Sequence, residues 1–190
     1  MNSQKKLLVH ICCAPCLSGL SDYLKSLNFN RITGYFYNPN IHPYKEFKKR
    51  RHQVRESEKI FGFDEIIYSN EYPLREILQG MLEAENRCEF CFRTRFQKTA
   101  EKASELGHSH FSSTLLVSPY QDQELLMKTG NQVADEYSVE FLGEDMRRFY
   151  DLSREESKAH GMYCQGYCGC VFSEYERYSK RKLPLMIWRK

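Results

Sequence analysis

Apolar and polar positions along the chain fall in blocks whose period switches repeatedly between that of a strand and that of a helix. Residues 5–11 (KKLLVHI) form a short apolar run rich in strand formers. Residues 16–27 place Leu17, Leu20, Tyr23, Leu24 and Leu27 at helical spacing, and Pro15 suits the first turn of that helix. The pattern then predicts a strand over 32–37 (ITGYFY), a long charged helix over 43–60 and a strand over 65–68 (EIIY). Helices over 73–85 and 88–105 follow, with Gly107 as a stop signal. Next come a strand over 110–117 (HFSSTLLV), closed by Ser118-Pro119, and a helix over 121–137 with Gly130 as a point of interruption. A short strand over 139–142 (VEFL) and polar helical sequence to residue 159 complete the alternation. Gly161 and Gly166 then mark a cysteine-rich loop.

Strands alternating with helices of this length predict an α/β fold, a parallel sheet covered on both faces. No repeat, low-complexity stretch or linker interrupts the pattern, so residues 1–190 are expected to form a single domain. Charged residues make up 28% and hydrophobic ones 41%, ordinary for a folded protein. The net charge of +3 does not by itself mark a nucleic-acid binder. No apolar run is long enough for a membrane span. The N-terminal MNSQKKLLVHICC reads as a first core strand, because its apolar run is too short for a signal peptide and ends in cysteines. The cytoplasm is the expected location, where thiols stay reduced.

That setting gives the 8 cysteines their meaning. Cys12, Cys13 and Cys16 are expected at the carboxyl end of the first strand and the start of the first helix, the crevice where open parallel sheets bind ligands. A helix N-terminus there would lower a thiol's pKa, and the thiolate is the metal-binding form. The sequence has neither GxGxxG nor GxxxxGK[ST], so a nucleotide-phosphate loop is not indicated. Cys88 and Cys91 form a Cys-x-x-Cys pair, a spacing that serves zinc, iron–sulfur and dithiol chemistry alike. Together with Cys12 and Cys13 they supply four thiolates, which suits a four-iron cluster. Adjacent cysteines are expected to diverge along the backbone and to fit poorly around one tetrahedral zinc. Structural zinc and buried apolar cysteines remain the alternatives. In the third group, Cys164 precedes Cys168-Gly169-Cys170. A Cys-x-Cys pair can close into a small, easily reduced disulfide, and Gly169 gives the backbone freedom for that ring. A zinc knuckle or core sulfur is the alternative there.

HICCAPC, YNPNIHPYKEFKKR, CEFCFRTR, STLLVSPYQD and YCQGYCGC occur in that order. Together they resemble the cobalamin-independent epoxyqueuosine reductase family, QueH, over most of the chain. The resemblance implies reduction of an epoxide to an alkene on a modified guanosine at the tRNA wobble position, the last step of queuosine formation. It implies a nucleotide-binding-type (HUP/Rossmann-like) three-layer fold, and a [4Fe-4S] cluster held by Cys12, Cys13, Cys88 and Cys91. Cys168 and Cys170 match a redox-active disulfide. A second, mononuclear iron goes with at least some members; some carry an aspartate at the position of Cys16, where this chain has a further thiol as candidate metal ligand. The implied partners are tRNA carrying epoxyqueuosine and an electron donor such as a ferredoxin or flavodoxin, with no membrane.

Reducing an epoxide to an alkene takes two electrons and two protons, and a cysteine pair stores two electrons. Tyr120 and Asp122, at a strand end, are candidates to donate or position a proton, although Asp122 equally suits a helix N-cap. Asn38, Asn40 and His42 are candidate crevice residues. Phosphates are expected to meet Lys45, Lys48, Lys49, Arg50, Arg51 and Arg55, then Arg93 and Arg95, or a second cluster of Arg177, Lys180, Arg181 and Lys182. Each cluster also reads as a solvated helix face. Tyr35, Tyr37, Phe90 and Phe92 are candidate stacking platforms. Two rival functions are a zinc-containing RNA-binding module and a thiol–disulfide oxidoreductase; stoichiometric iron and sulfide would remove both.

Overall fold

A computed structural model describes residues 5–179. Five strands, β1 (Lys6–His10), β2 (Arg31–Phe36), β3 (Glu65–Tyr68), β4 (His110–Ser113) and β5 (Glu140–Phe141), form one sheet in the order β3-β2-β1-β4-β5. Every neighbouring pair is parallel, with Val9 opposite Gly34 on one side and Ser112 on the other. β1 is central, and Leu7, Leu8 and Val9 are all buried. A strand covered on both faces has no reason to alternate, which is why this segment reads as a continuous apolar run. The chain runs outward from β1 to β3, then returns to β4 on the other side. The strand order therefore reverses between β1 and β4, the place where an open α/β sheet leaves a crevice.

Helices cover both faces in the predicted three-layer arrangement. α6 (Arg87–Glu105) packs on β1 and β4, between α5 (Leu74–Glu83) and α7 (Gln123–Tyr137). α1 (Ala14–Ser18) packs against α3 (Tyr44–Glu56), α4 (Glu58–Phe61) and α8 (Tyr150–Ala159). No described helix is long and apolar enough to cross a membrane.

Several boundaries differ from the periodicity. The helix expected over 16–27 is two pieces, α1 and α2 (Ser21–Ser26). The break follows from the fit of α1 against α8. Ser18 Oγ lies 3.0 Å from Ser153 O and 3.1 Å from Ser157 Oγ. A Cβ on Gly19 would sit 2.5 Å from Ser153 N. The helix over 43–60 breaks at buried Ser57 into α3 and α4. The strand over 110–117 stops at Ser113, whose hydroxyl accepts from Leu115 N and turns the chain into a 3-10 segment over Thr114–Val117. α7 runs unbroken through Gly130, where the Phe141 ring occupies the space a Cβ would take. A 3-10 turn over Arg147–Phe149 leads into α8. A last helix, α9 (Val171–Tyr178), follows the cysteine-rich loop; periodicity did not predict it. Lys180, Arg181 and Lys182 lie outside the described residues.

Beside the Ser153 hydroxyl, two backbone atoms of Ser153, N and Cα, face Gly19 and cannot rotate away. Gly19→Ala is expected to destabilise the fold by about 1–3 kcal/mol, measured as a lowered urea midpoint at unchanged denaturant slope.

Candidate functional site

β1 ends at the crevice, and its next residues carry sulfur. The sulfurs of Cys12, Cys13 and Cys16 all lie within 4.8 Å of one another. Cys12 and Cys13 are 3.7 Å apart, so the expectation that adjacent cysteines diverge is wrong here. Cys13 is extended at the N-cap of α1, and the chain turns there so that both thiols reach one side. A single hydroxyl fixes Cys12: Thr114 Oγ1 accepts from Cys12 N at 3.0 Å and donates to Cys12 Sγ at 3.1 Å. Cys13 Sγ accepts from Gln165 Nε2 at 2.9 Å and from Cys16 N at 3.4 Å. The five-residue α1 is too short to bring much of a helix dipole. Thiol hydrogen bonds do the work instead. Those from Cys13 and Cys16 hold Cys12 well below the usual thiol range, and the same sharing pushes Cys13 and Cys16 up.

Cys88 and Cys91 occupy the first turns of α6. Asn86 caps that helix, its side chain accepting from Cys88 N and Glu89 N. Cys91 is buried with Ile77, Met81 and Cys170. Burial pushes its thiol up to about 11, with Arg95 opposing the shift. Burial also raises Cys88. Arg95, one turn further on, is 4% exposed and donates to Cys91 Sγ at 3.2 Å and Cys91 O at 3.1 Å. Among the described residues no carboxylate pairs with it. A buried guanidinium favours a nearby anion, and the groups it touches here are the Cys91 carbonyl and a sulfur that would carry negative charge as a thiolate. Thiols that accept N–H and O–H bonds, beside a buried cation without a carboxylate, fit a metal group bound through thiolates. The expectation that Arg95 meets phosphate is therefore corrected.

The third group closes the site from the C-terminal side. Cys168 and Cys170 sulfurs are 3.8 Å apart, with Cys168 at the surface and Cys170 buried. Hydrogen bonding from Cys170 is the main cause that holds Cys168 down to about 5, and Cys170 is pushed up in return. A surface thiolate beside a second thiol is the arrangement of a reactive pair. Cys16, Cys88, Cys164, Cys168 and Cys170 all line one cavity of about 500 Å³. Each of the three groups thus sends at least one thiol to the same cavity, whereas among the described residues the sulfurs gathered within 4.8 Å of one another are those of Cys12, Cys13 and Cys16, without Cys88 or Cys91.

Tyr120 also lines this cavity, its ring edge-on to Tyr150 at 6.0 Å. Asp122 serves as the N-cap of α7, accepting from Leu125 N at 3.0 Å. The expected stacking platforms Tyr35 and Tyr37 are stacked on each other in the core, and Phe92 is also core. Phe90 is half-buried against Cys91 and Cys170. Asn38, Asn40 and His42 are buried, with Asn38 Nδ2 donating to Ile11 O. Of the basic residues on α3, Lys45, Lys48, Lys49 and Arg55 are exposed, whereas Arg50 is buried. Lys49 Nζ sits over the Tyr163 ring at 3.3 Å, and Arg93 pairs with Glu136. The roles of Thr114, Arg95 and Gln165 went unnoticed in the sequence. Arg95 alone had a visible signal, its position four residues after Cys91 on a helix.

A family model described as epoxyqueuosine reductase QueH matches residues 7–176. The epoxyqueuosine reductase QueH of Dehalococcoides mccartyi is 37% identical over 94% of this chain and 98% of its own length. The protein of that name from Thermotoga maritima is 34% identical over 92% and 93% respectively. That of Streptococcus pyogenes is 36% identical over 88% of this chain and 69% of its own.

Two outcomes are expected at this site. Removing the guanidinium with Arg95→Met should weaken retention of a thiolate-bound metal about 10- to 100-fold, read as metal lost to a chelator over time. The second concerns His10, whose Nε2–H donates to Tyr37 O at 3.0 Å while Nδ1 accepts from Ser113 Oγ at 2.9 Å. Burial, with help from Arg95, lowers its pKa from 6.5 to about 4. The unfolded chain therefore binds a proton near pH 6.5 that the folded chain refuses until about pH 4, and stability should fall as pH drops through that window. Urea midpoints from pH 7.5 to 4.5 test this, and His10→Gln should flatten the slope.

Proposed function

This chain belongs to the epoxyqueuosine reductase QueH family, and from that premise we propose that it reduces epoxyqueuosine in tRNA to queuosine. The observation that carries the reading is one cavity of about 500 Å³ walled by cysteines from each of the three groups. That volume suits a single unstacked base of an anticodon loop, with chemistry done on a nucleotide held out of its stack. Cys12, Cys13, Cys88 and Cys91 would hold a [4Fe-4S] cluster, with Cys16 available to a second iron. Such a cluster, when bound, supplies electrons one at a time.

The remaining steps belong to side chains of this chain. Converting the epoxide to an alkene breaks both carbon–oxygen bonds and consumes two electrons and two protons, with oxygen leaving as water. Oxidation of the Cys168 thiolate and the Cys170 thiol to a disulfide releases two electrons and one proton, so the pair matches the reaction in electrons and a separate donor supplies the second proton. An external donor, of the ferredoxin or flavodoxin kind, then restores the thiols. Tyr120, on the cavity wall, is the better placed of the two proton candidates, because the Asp122 carboxylate already caps α7. Arg154 and Arg177 also line the cavity and offer cations for substrate phosphates.

One observation favours a second reading. Three sulfurs within 4.8 Å suit one tetrahedral ion, so Cys12, Cys13 and Cys16 could hold zinc in a non-catalytic RNA-binding module. Anaerobically purified protein decides between them. The reductase is expected to be brown, to contain iron and sulfide, and to convert epoxyqueuosine in tRNA to queuosine by nucleoside mass spectrometry. Replacing both Cys168 and Cys170 by Ser should slow single-turnover reduction at least about 100-fold. Colourless, zinc-loaded, inactive protein would end the reductase reading.

A further inference from the structure

We propose that Arg50 is a positioning residue for the Cys168-Gly169-Cys170 turn, clamping its backbone so that the two thiols stay in the geometry from which they exchange electrons. The proposal rests on the reading of that pair given above. Arg50 is 2% exposed and lies on the buried stripe of α3 with Phe47 and Val54. Its guanidinium is divided between two tasks. Nε donates to Glu46 Oε1 at 2.7 Å. Nη1 donates to Cys168 O at 2.9 Å and Nη2 to Tyr167 O at 3.2 Å. The next carbonyl, Gly169 O, accepts from His42 N at 2.7 Å, and Tyr167 OH donates back to His42 O at 2.5 Å. Three successive carbonyls of the turn are thus taken by donors from one wall.

The seat is close on both sides. Gly169 has φ +130, and a Cβ there would lie 2.9 Å from Ile41 Cγ1 and 3.2 Å from Arg50 Nη1. Tyr163 OH donates to Glu46 Oε2 at 3.0 Å, so the carboxylate that orients Arg50 is itself held by the cysteine-rich loop. A pair serving only to stabilise α3 would sit on its solvent face, where it loses no hydration. Burying it on an apolar stripe costs desolvation free energy. The fork accounts for that placement, since only a planar guanidinium spans two neighbouring carbonyls while keeping a carboxylate.

The test equilibrates anaerobically purified holoprotein with a glutathione buffer and traps Cys168 and Cys170 for mass spectrometry. The exchange is balanced: two thiols and one oxidised glutathione give the protein disulfide and two reduced glutathiones. A freed turn brings the thiols together less often, so Arg50→Met should lower the equilibrium constant about tenfold, the worth of a charge-assisted hydrogen bond. Arg50→Lys keeps the buried charge but not the fork, and should fall between that variant and the unaltered protein. An unaltered thiol equilibrium in either folded variant overturns the proposal, and Arg50→Lys decides the matter where Arg50→Met does not fold. Failure of the functional reading is separate: full single-turnover activity without Cys168 and Cys170 removes the pair from the reaction but leaves the effect of Arg50 on the turn to be read.

Discussion

Arg95, a guanidinium shut away from water, has the sulfur and the carbonyl of Cys91 for partners, and its charge favours the thiolate at a thiol that burial otherwise keeps protonated. Much of the site follows from that pairing. Arg95 fixes the sulfur and the carbonyl of Cys91 together, so the first turns of α6 cannot rotate without breaking two bonds. Its charge also reaches His10, Cys88 and Cys168, which draws the thiol groups into one electrostatic unit. Four thiolates with nothing to balance them would repel one another and take up protons. A buried cation relieves that repulsion, and a bound metal would do the same.

The sheet supplies the meeting place. In a parallel sheet all carboxyl ends lie on one edge, so Cys12 after β1 and Thr114 after β4 become neighbours although far apart in sequence. The switch of direction between those two strands opens the crevice, and helices on both faces close its sides. The cysteine-rich loop then approaches from the remaining side, anchored by Arg50 and by the backbone of His42. Those contacts are to main chain, and the side chains that anchor the loop are Tyr163, Gln165 and Tyr167. The loop therefore keeps its cysteine side chains free for chemistry.

Periodicity revealed the alternating elements, and with them the parallel sheet and the position of Cys12 and Cys13. It did so because strand and helix burial differ in period, and the central strand carries three consecutive apolar residues, Leu7, Leu8 and Val9. Charge was the misleading guide. Read as a run of basic residues, α3 looks like a solvated face, yet Phe47, Arg50 and Val54 share its buried stripe. The spacing already put Arg50 inside; its charge suggested otherwise. Arg95 repeats the pattern, falling in line with Cys91 and Thr99 on the buried side of α6. The tight approach of Cys12 to Cys13 was not legible at all, because it depends on the turn into α1 and on a hydroxyl from β4's end, a hundred residues away.

The arrangement of donors around these sulfurs bears on how the site fills. A metal held here would require thiolates, so its binding would expel the protons that Cys12, Cys13 and Cys16 share. The hydrogen bonds from Thr114, Gln165 and the Cys16 amide need not be lost in that exchange. Sulfur bound to metal still accepts such bonds, and their number helps to set a cluster's potential. One set of contacts can thus orient the thiols before loading and tune them afterwards. Because Cys13 is also the N-cap of α1, the same bonds tie the metal site to the packing of α1 against α8. Folding of that corner and metal binding should therefore support each other, each holding in place the groups the other needs.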